Sequence, residues 1–370
     1  MRIAHLAYGR DNNFNLLRLV AACMVIYAHA HTIAQGFVDG IPNWSGDALY
    51  DLTGMDSGRI AVQVFFIMSG FLVAQSVTRS GSLKEFFIAR ALRLMPALIM
   101  AVLVCVFVIG LCFTTKSASQ YLVSGEVKHF LFYNLALMNN PPAQFLPGVF
   151  EQLPYDHVVN GSLWTLPWEA LMYVTLAGLF AIGLLQRRLA VAIGFAAVFV
   201  AFCFSRENLL PMVKYLPLAV AFTSFFFLGV LAWLYRDRIS MSGTTVTIAV
   251  VLLLASLLLF KASVLVRSAY PFLLAYSALG VALVPGGAIR GFNRMGDYSY
   301  GVYVYGFPLQ QSLMALHPEY TALQVGFYGL ALVLLLAVPS WHLLEKPMLS
   351  LKKYGRSRAA IGYTAARATS

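Results

Sequence analysis

The chain has 370 residues, 60% of them hydrophobic and 11% charged, with a formal net charge of +11. A soluble domain carries about 25% charged residues, so the composition argues against an ordinary water-exposed surface. The cations sit in short clusters between apolar runs, which argues against a nucleic-acid-binding face and fits the positive-inside pattern of membrane proteins.

From the N-terminus, the polar segment Met1 to Asn15 precedes the first apolar run, and no small-residue cleavage site follows it, so it is not read as a removable signal. Apolar runs of about 20 residues, the length that crosses a bilayer core, then recur along the chain. They predict spans near 16–35, 59–77, 92–112, 162–184, 189–205, 215–235, 243–260, 268–285, 297–316 and 321–344. The expected fold class is therefore all-α, a polytopic integral membrane protein of about ten transmembrane helices. The run 129–138 is too short to span and is read as re-entrant or interfacial, leaving one long outer segment, 113–161. Residues 1–350 form one transmembrane domain, and 351–370 a short basic tail. Cys23, Cys105, Cys112 and Cys203 show no metal or redox spacing and are read as small hydrophobes.

Counting cations sets the orientation. With the N-terminus inside, 18 Lys and Arg residues fall in inside segments and 7 in outside segments, and Arg18 lies within the first span. That asymmetry predicts both termini in the cytoplasm.

Ionisable groups inside spans are costly and are functional candidates by default. Arg18, His29 and Glu169 stand out. Arg18 and His29 are eleven positions apart on the first span, hence on one face and about 16 Å apart along the axis. An Arg suits phosphate and a His can act as a general base, so the pair could hold the two ends of a long phosphate-bearing donor. The other reading is an interfacial Arg and a His bonded to a neighbouring helix. His31 lies about 200° around the helix from His29. Glu169, about 10 Å from the outer end of the fourth span, is expected at the depth of His29, where a carboxylate could orient the imidazole. Its other reading is a structural pairing with Arg59 or Lys214.

Six segments together resemble the integral membrane acyltransferase-3 family, over residues 15–347. They are Arg18 with His29, VFFIMSGFLVAQS (64–76), ARALRLMP (89–96), GSLWTLPWEALMYV (161–174), GDYSYGVYVYGFPL (296–309) and LLEKP (343–347). Members of that family O-acylate sugars of exopolysaccharide, lipopolysaccharide and related glycans. The resemblance implies an acyltransferase of the bacterial cytoplasmic (inner) membrane. It would move an acyl group, acetyl by expectation, from cytoplasmic acetyl-CoA to the hydroxyl of an extracytoplasmic or lipid-linked glycan. No permanently bound cofactor or metal is expected. The expected partners are the lipid bilayer, acyl-CoA, the glycan acceptor and glycan-assembly proteins. Many relatives carry a His where this chain has Gly306.

The expected catalytic residues are His29 and Glu169, and the expected donor-binding residues are Arg18, Arg90 and Arg93. Arg90 and Arg93 share one face at i and i+3, and serve equally as positive-inside anchors. Ser69, Trp164 and Trp168 are candidates for contact with the sugar. Helix packing by the Ser69-Gly70 pair and an interfacial aromatic belt for the two Trp remain open alternatives. A glycan or lipid transporter without acyl transfer is the competing class, since its spans would also contain rare charges.

Overall fold

The computed structural model describes residues 1–351 apart from Tyr8, Arg10, 139–142, 206–215 and 260–263. The basic residues Arg10, Arg206, Lys214, Lys261 and those of the tail beyond Leu351 therefore lie outside the described residues. Several of the helices begin at a residue whose side chain accepts from the free N–H groups of the first turn. The helices that matter for the site are α1 (Phe14–Gln35), α2 (Ser57–Ser80), α3 (Leu83–Val104), α4 (Gly125–Leu135), α5 (Leu166–Ala181), α6 (Arg188–Ser205), α7 (Leu216–Leu234), α8 (Gly243–Leu258), α9 (Val264–Leu283), α10 (Ser299–Leu316) and α11 (Ala322–Ser340). Asp56 caps α2, Ser82 caps α3, and Ser242 and Thr321 close full capping boxes on α8 and α11. Gly81, in the left-handed conformation at φ 66°, ends α2.

Helices occupy the place of every expected span. Among the described residues, six are long and apolar enough to cross a membrane: Phe14–Gln35, Ser57–Ser80, Leu83–Phe113, Pro217–Leu234, Leu265–Leu283 and Ala322–Leu351. The chain is thus a mostly helical multi-pass membrane protein. Helices α5 and α8 have only 16 residues each, about 24 Å of rise against a hydrocarbon core of about 30 Å. Helix α10 buries Gln310 and Gln311 among its apolar residues.

Three details depart from the sequence expectation. First, α3 starts at Leu83 rather than near 92, so Arg90 and Arg93 sit about two and nearly three turns inside a helix rather than at its mouth. Second, α11 continues through a π turn, Trp341–Glu345, towards Leu351, which buries Glu345. Third, the segment 113–161 does not stay on the surface. The apolar run expected at 129–138 forms the short helix α4, which packs on α3 with Val127 and Phe130 buried and Phe132 exposed. The part that enters the bundle is the stretch after it. Gln311 donates to the carbonyls of Tyr155 (2.7 Å) and Val158 (2.8 Å), Asn160 donates to Val304 (3.0 Å), and Thr165 meets the Tyr303 hydroxyl. The chain from 155 to 165 thus runs alongside α10, and α5 begins well below the end of the bundle.

Helices α2 and α7 form the closest crossing. A Cβ on Gly70 would stand 1.9 Å from the Phe226 carbonyl oxygen, and one on Gly229 would stand 2.0 Å from that of Ile67. Backbone meets backbone here because neither residue has a side chain. Gly70→Ala is expected to cost about 1–3 kcal/mol through overpacking. The check is the thermal midpoint of the purified protein, and a Gly70→Ala midpoint equal to the wild type would contradict this packing.

Candidate active site

Two cavities lie one above the other between α1, α2 and α10, the narrow one also walled by α3 and α5 and the wider one by α7. The narrow one, about 90 Å³, is lined by Arg18, Arg90, Arg93, Ser69, Glu169 and Tyr173 among others. The wider one, about 550 Å³, is lined by His29, Asp56, Arg59, Gln63, Tyr155 and Trp164 among others. Val62 and Tyr303 line both. Arg18 and His29 therefore open from one helix into different chambers, as eleven residues of α helix require.

The arginine cavity is built on a carboxylate that the sequence reading did not single out. Asp297, buried just before α10, accepts from Arg18 Nη1 at 2.9 Å and Arg93 Nη2 at 2.6 Å on one oxygen, and from Ser299 Oγ on the other. Arg93 also lies 3.5 Å from the buried Glu345 carboxylate and over the rings of Tyr300 and Trp341. Arg18 and Arg93, from α1 and α3, are thus fastened to one point. Arg90 is different. Its guanidinium lies over the Tyr173 ring at 5.8 Å, its Nε is buried without a hydrogen-bond partner, and no ion pair holds it among the described residues. A buried donor with no partner carries a desolvation penalty that an anion would relieve.

Asp297 and Glu345 escaped the search for charges inside spans because each stood at the edge of a run. Asp297 opened the ninth, and Glu345 fell one residue past the tenth, a position that only the π turn of α11 brings inward.

Glu169 requires a correction. Its carboxylate accepts from Ser69 Oγ at 3.1 Å and from the Tyr173 hydroxyl, and it lines the arginine cavity. It does not orient His29. Ser69 is twelve residues from the Ser57 end of α2, about 18 Å down the helix, whereas His29 is six residues, about 9 Å, from the Gln35 end of α1. The descent of residues 155–165 carries Glu169 past the level of His29. Pairing of Glu169 with Arg59 is absent as well, since Arg59 pairs with Asp56 at 3.3 Å, and the other expected partner, Lys214, lies outside the described residues.

His29 stands against the edge of Phe307, with ring centroids 5.0 Å apart. Its Nδ1 is sealed from solvent without a partner, which leaves Nε2 as the ring nitrogen available to a ligand in the histidine cavity. His31 points elsewhere, with its ring beside Tyr27 and under Gly46. Around the mouth of the wider cavity, Arg59 lies over Trp44 at 5.9 Å. Burial pushes the Asp56 carboxyl up, against the pull of Arg59, and also raises the Tyr155 phenol, which stays a hydrogen-bond donor.

The remaining candidates divide. Trp164 lines the histidine cavity, whereas Trp168 packs on Phe222 with its indole N–H buried and unpartnered. Ser69 faces a cavity while its neighbour Gly70 makes the helix crossing. Gly306 lies against Ile26 of α1, since a Cβ there would come 2.1 Å from its Cδ1; this position packs helices together.

The family model for the acyltransferase domain matches residues 11–342. The chain is 28% identical to an O-acetyl transferase of Shigella phage Sf6 over 350 residues, covering 92% of this chain and 97% of the relative. It is 29% identical to nodulation protein 10 of Rhizobium leguminosarum bv. viciae over 376 residues, covering 93% and 95%. No solved structure matches. With a family model spanning nearly all of its described helices, the chain belongs to the acyltransferase-3 family of membrane acyltransferases.

Proposed function

We propose that this protein is a membrane O-acetyltransferase of the bacterial inner membrane. It would move acetyl from cytoplasmic acetyl-CoA to a glycan hydroxyl presented on the other side. The observation that carries this reading is the pair of stacked cavities, one lined by three guanidiniums and the other by a histidine with a free Nε2, meeting at Val62 and Tyr303. The relatives named above, one of them an O-acetyl transferase, support the acyl class.

The narrow cavity suits the uncharged arm of CoA, with Arg90, Arg18 and Arg93 attracting the phosphates at its entrance. The wider, aromatic cavity suits a sugar. His29 Nε2 takes the proton of the acceptor hydroxyl as its oxygen attacks the thioester carbon. The tetrahedral intermediate then expels the CoA sulfur, which leaves protonated. Glu169, held by Ser69 and Tyr173, forms the wall of the donor chamber. Trp164 offers a ring face to the sugar. Other subunits of glycan assembly are expected to present the acceptor.

Purified protein in nanodiscs, incubated with [acetyl-14C]acetyl-CoA and methyl glycosides of hexoses, deoxyhexoses and N-acetylhexosamines or isolated polysaccharide, should transfer label to glycan. Glycan binding or transport without label transfer would favour a transporter instead.

The same reading places ten helices across the bilayer with both termini in the cytoplasm, supported by the uneven division of Lys and Arg. In a cysteine-free background, Ser119→Cys should react with a membrane-impermeant maleimide on intact spheroplasts. Arg187→Cys should react only after permeabilisation. Both positions are exposed, so labelling of Arg187→Cys from outside would invert the topology.

A further inference from the structure

The two chambers share only two lining residues, and one of them, Tyr303, is polar. Tyr303 sits on α10 three residues beyond Tyr300 and four before Phe307, so the three aromatics share a helix face. Tyr300 lines the arginine cavity, Phe307 lines the histidine cavity and touches His29, and Tyr303 lies between them. Its ring is buried edge-on to Phe65, and its hydroxyl lies 2.5 Å from Thr165 Oγ1. Thr165 comes from the last turn of the segment that descends beside α10, so the hydroxyl is fixed from two independent elements.

Any acyl group passing from a donor in one chamber to an acceptor in the other must cross this neck. We propose that the thioester carbonyl is held at the neck and that Tyr303 is a catalytic residue, donating its hydroxyl hydrogen to the carbonyl oxygen while accepting from Thr165. The inference rests on the acyl-transfer reading above and gives it a reaction centre. During attack, the carbonyl π electrons move to that oxygen, and Tyr303 stabilises the charge without giving up its proton. The electrons return as the carbon–sulfur bond breaks. The acceptor proton passes through His29 to the departing sulfur, so the overall exchange is acetyl for hydrogen. A donor fixed before the reaction is worth more in a dry site than in water, because nothing must reorganise as the charge develops. Val62, the other residue that lines both chambers, then limits the length of the acyl chain.

The test uses the full-length protein in nanodiscs with acetyl-CoA, the methyl glycoside panel, and water as the default acceptor, reading thiol release and label transfer. Tyr303→Phe keeps the ring and removes one oxygen. It should lower kcat by about 10²–10³-fold with donor KM unchanged. Thr165→Val should give a smaller loss of the same kind. Val62→Ala should shift preference from acetyl-CoA towards propionyl- and butyryl-CoA, and this shift decides the matter if Tyr303→Phe fails to fold. Wild-type kcat in folded Tyr303→Phe, or an unchanged acyl preference in Val62→Ala, overturns the inference while acyl transfer stands. A wild type that turns over no acetyl-CoA with any acceptor removes the acyl-transfer reading and this inference with it.

Discussion

The His29→Ala variant is expected to lose acetyl transfer by about 10²–10⁴-fold, the range that a positioned general base supplies. The side chain lines the wider cavity, and only Nε2 is open to it, because Nδ1 is buried without a partner. Among the described residues no carboxylate bonds the buried ring nitrogen, so in the proposed mechanism His29 would be a lone base rather than the middle of a triad. His29→Gln keeps hydrogen-bonding capacity but takes up no proton at neutral pH, and should fail almost as badly. His31→Ala should be far milder, because that ring lies beside Tyr27 under Gly46, away from both cavities. Measurement requires label transfer from [acetyl-14C]acetyl-CoA together with membrane level and donor binding for each variant. Near-normal transfer in both His29 variants, with donor binding intact, would remove the histidine from the chemistry.

How much of this was legible follows from how each feature is encoded. The apolar runs announced helices at their places because hydropathy is a local property. The common face of Arg18 and His29 was legible for the same reason, since helical geometry fixes it within one segment. Ser69-Gly70 left two readings open, packing and chemistry, and each belongs to one of the residues. Adjacent helical positions point about 100° apart, so Ser69 reaches Glu169 while Gly70 meets Phe226. The depth of Glu169 was not legible. It is set by hydrogen bonds from Gln311 and Asn160, which join residues about 150 positions apart and leave no periodic trace. Asp297 and Glu345 were hidden by their position at the ends of runs, where a charge looks solvated until a loop or a π turn folds it inward. Tyr303 lay within a recognised Tyr-rich segment, but only packing distinguishes it from Tyr300 and Tyr305, whose hydroxyls bond to Leu94 and Ser340.

Asp297→Ala is expected to destabilise the protein by about 3 kcal/mol, the lower end of what breaking a buried ion pair costs. The lower end applies because Arg18 and Arg93 retain 22% and 17% side-chain exposure. Removing the carboxylate leaves two guanidiniums that share one anchor facing each other, with Glu345 at 3.5 Å the remaining counter-charge for Arg93 alone. The loss should appear as a lowered thermal midpoint and a reduced membrane level. Asp297→Asn, which can still accept from one arginine, should lie between the variant and the wild type. Because the cost is unpaired charge rather than lost packing, adding Arg18→Met to Asp297→Ala should recover part of the stability, since Asp297 is the carboxylate that Arg18 pairs with. A double-mutant cycle over the two positions should therefore show coupling well beyond additivity, as expected for groups in one network. Additive losses, or an Asp297→Ala protein as stable as the wild type, would mean that the two arginines find other anchors. The description of Asp297 as the fastening point between α1 and α3 would then be wrong.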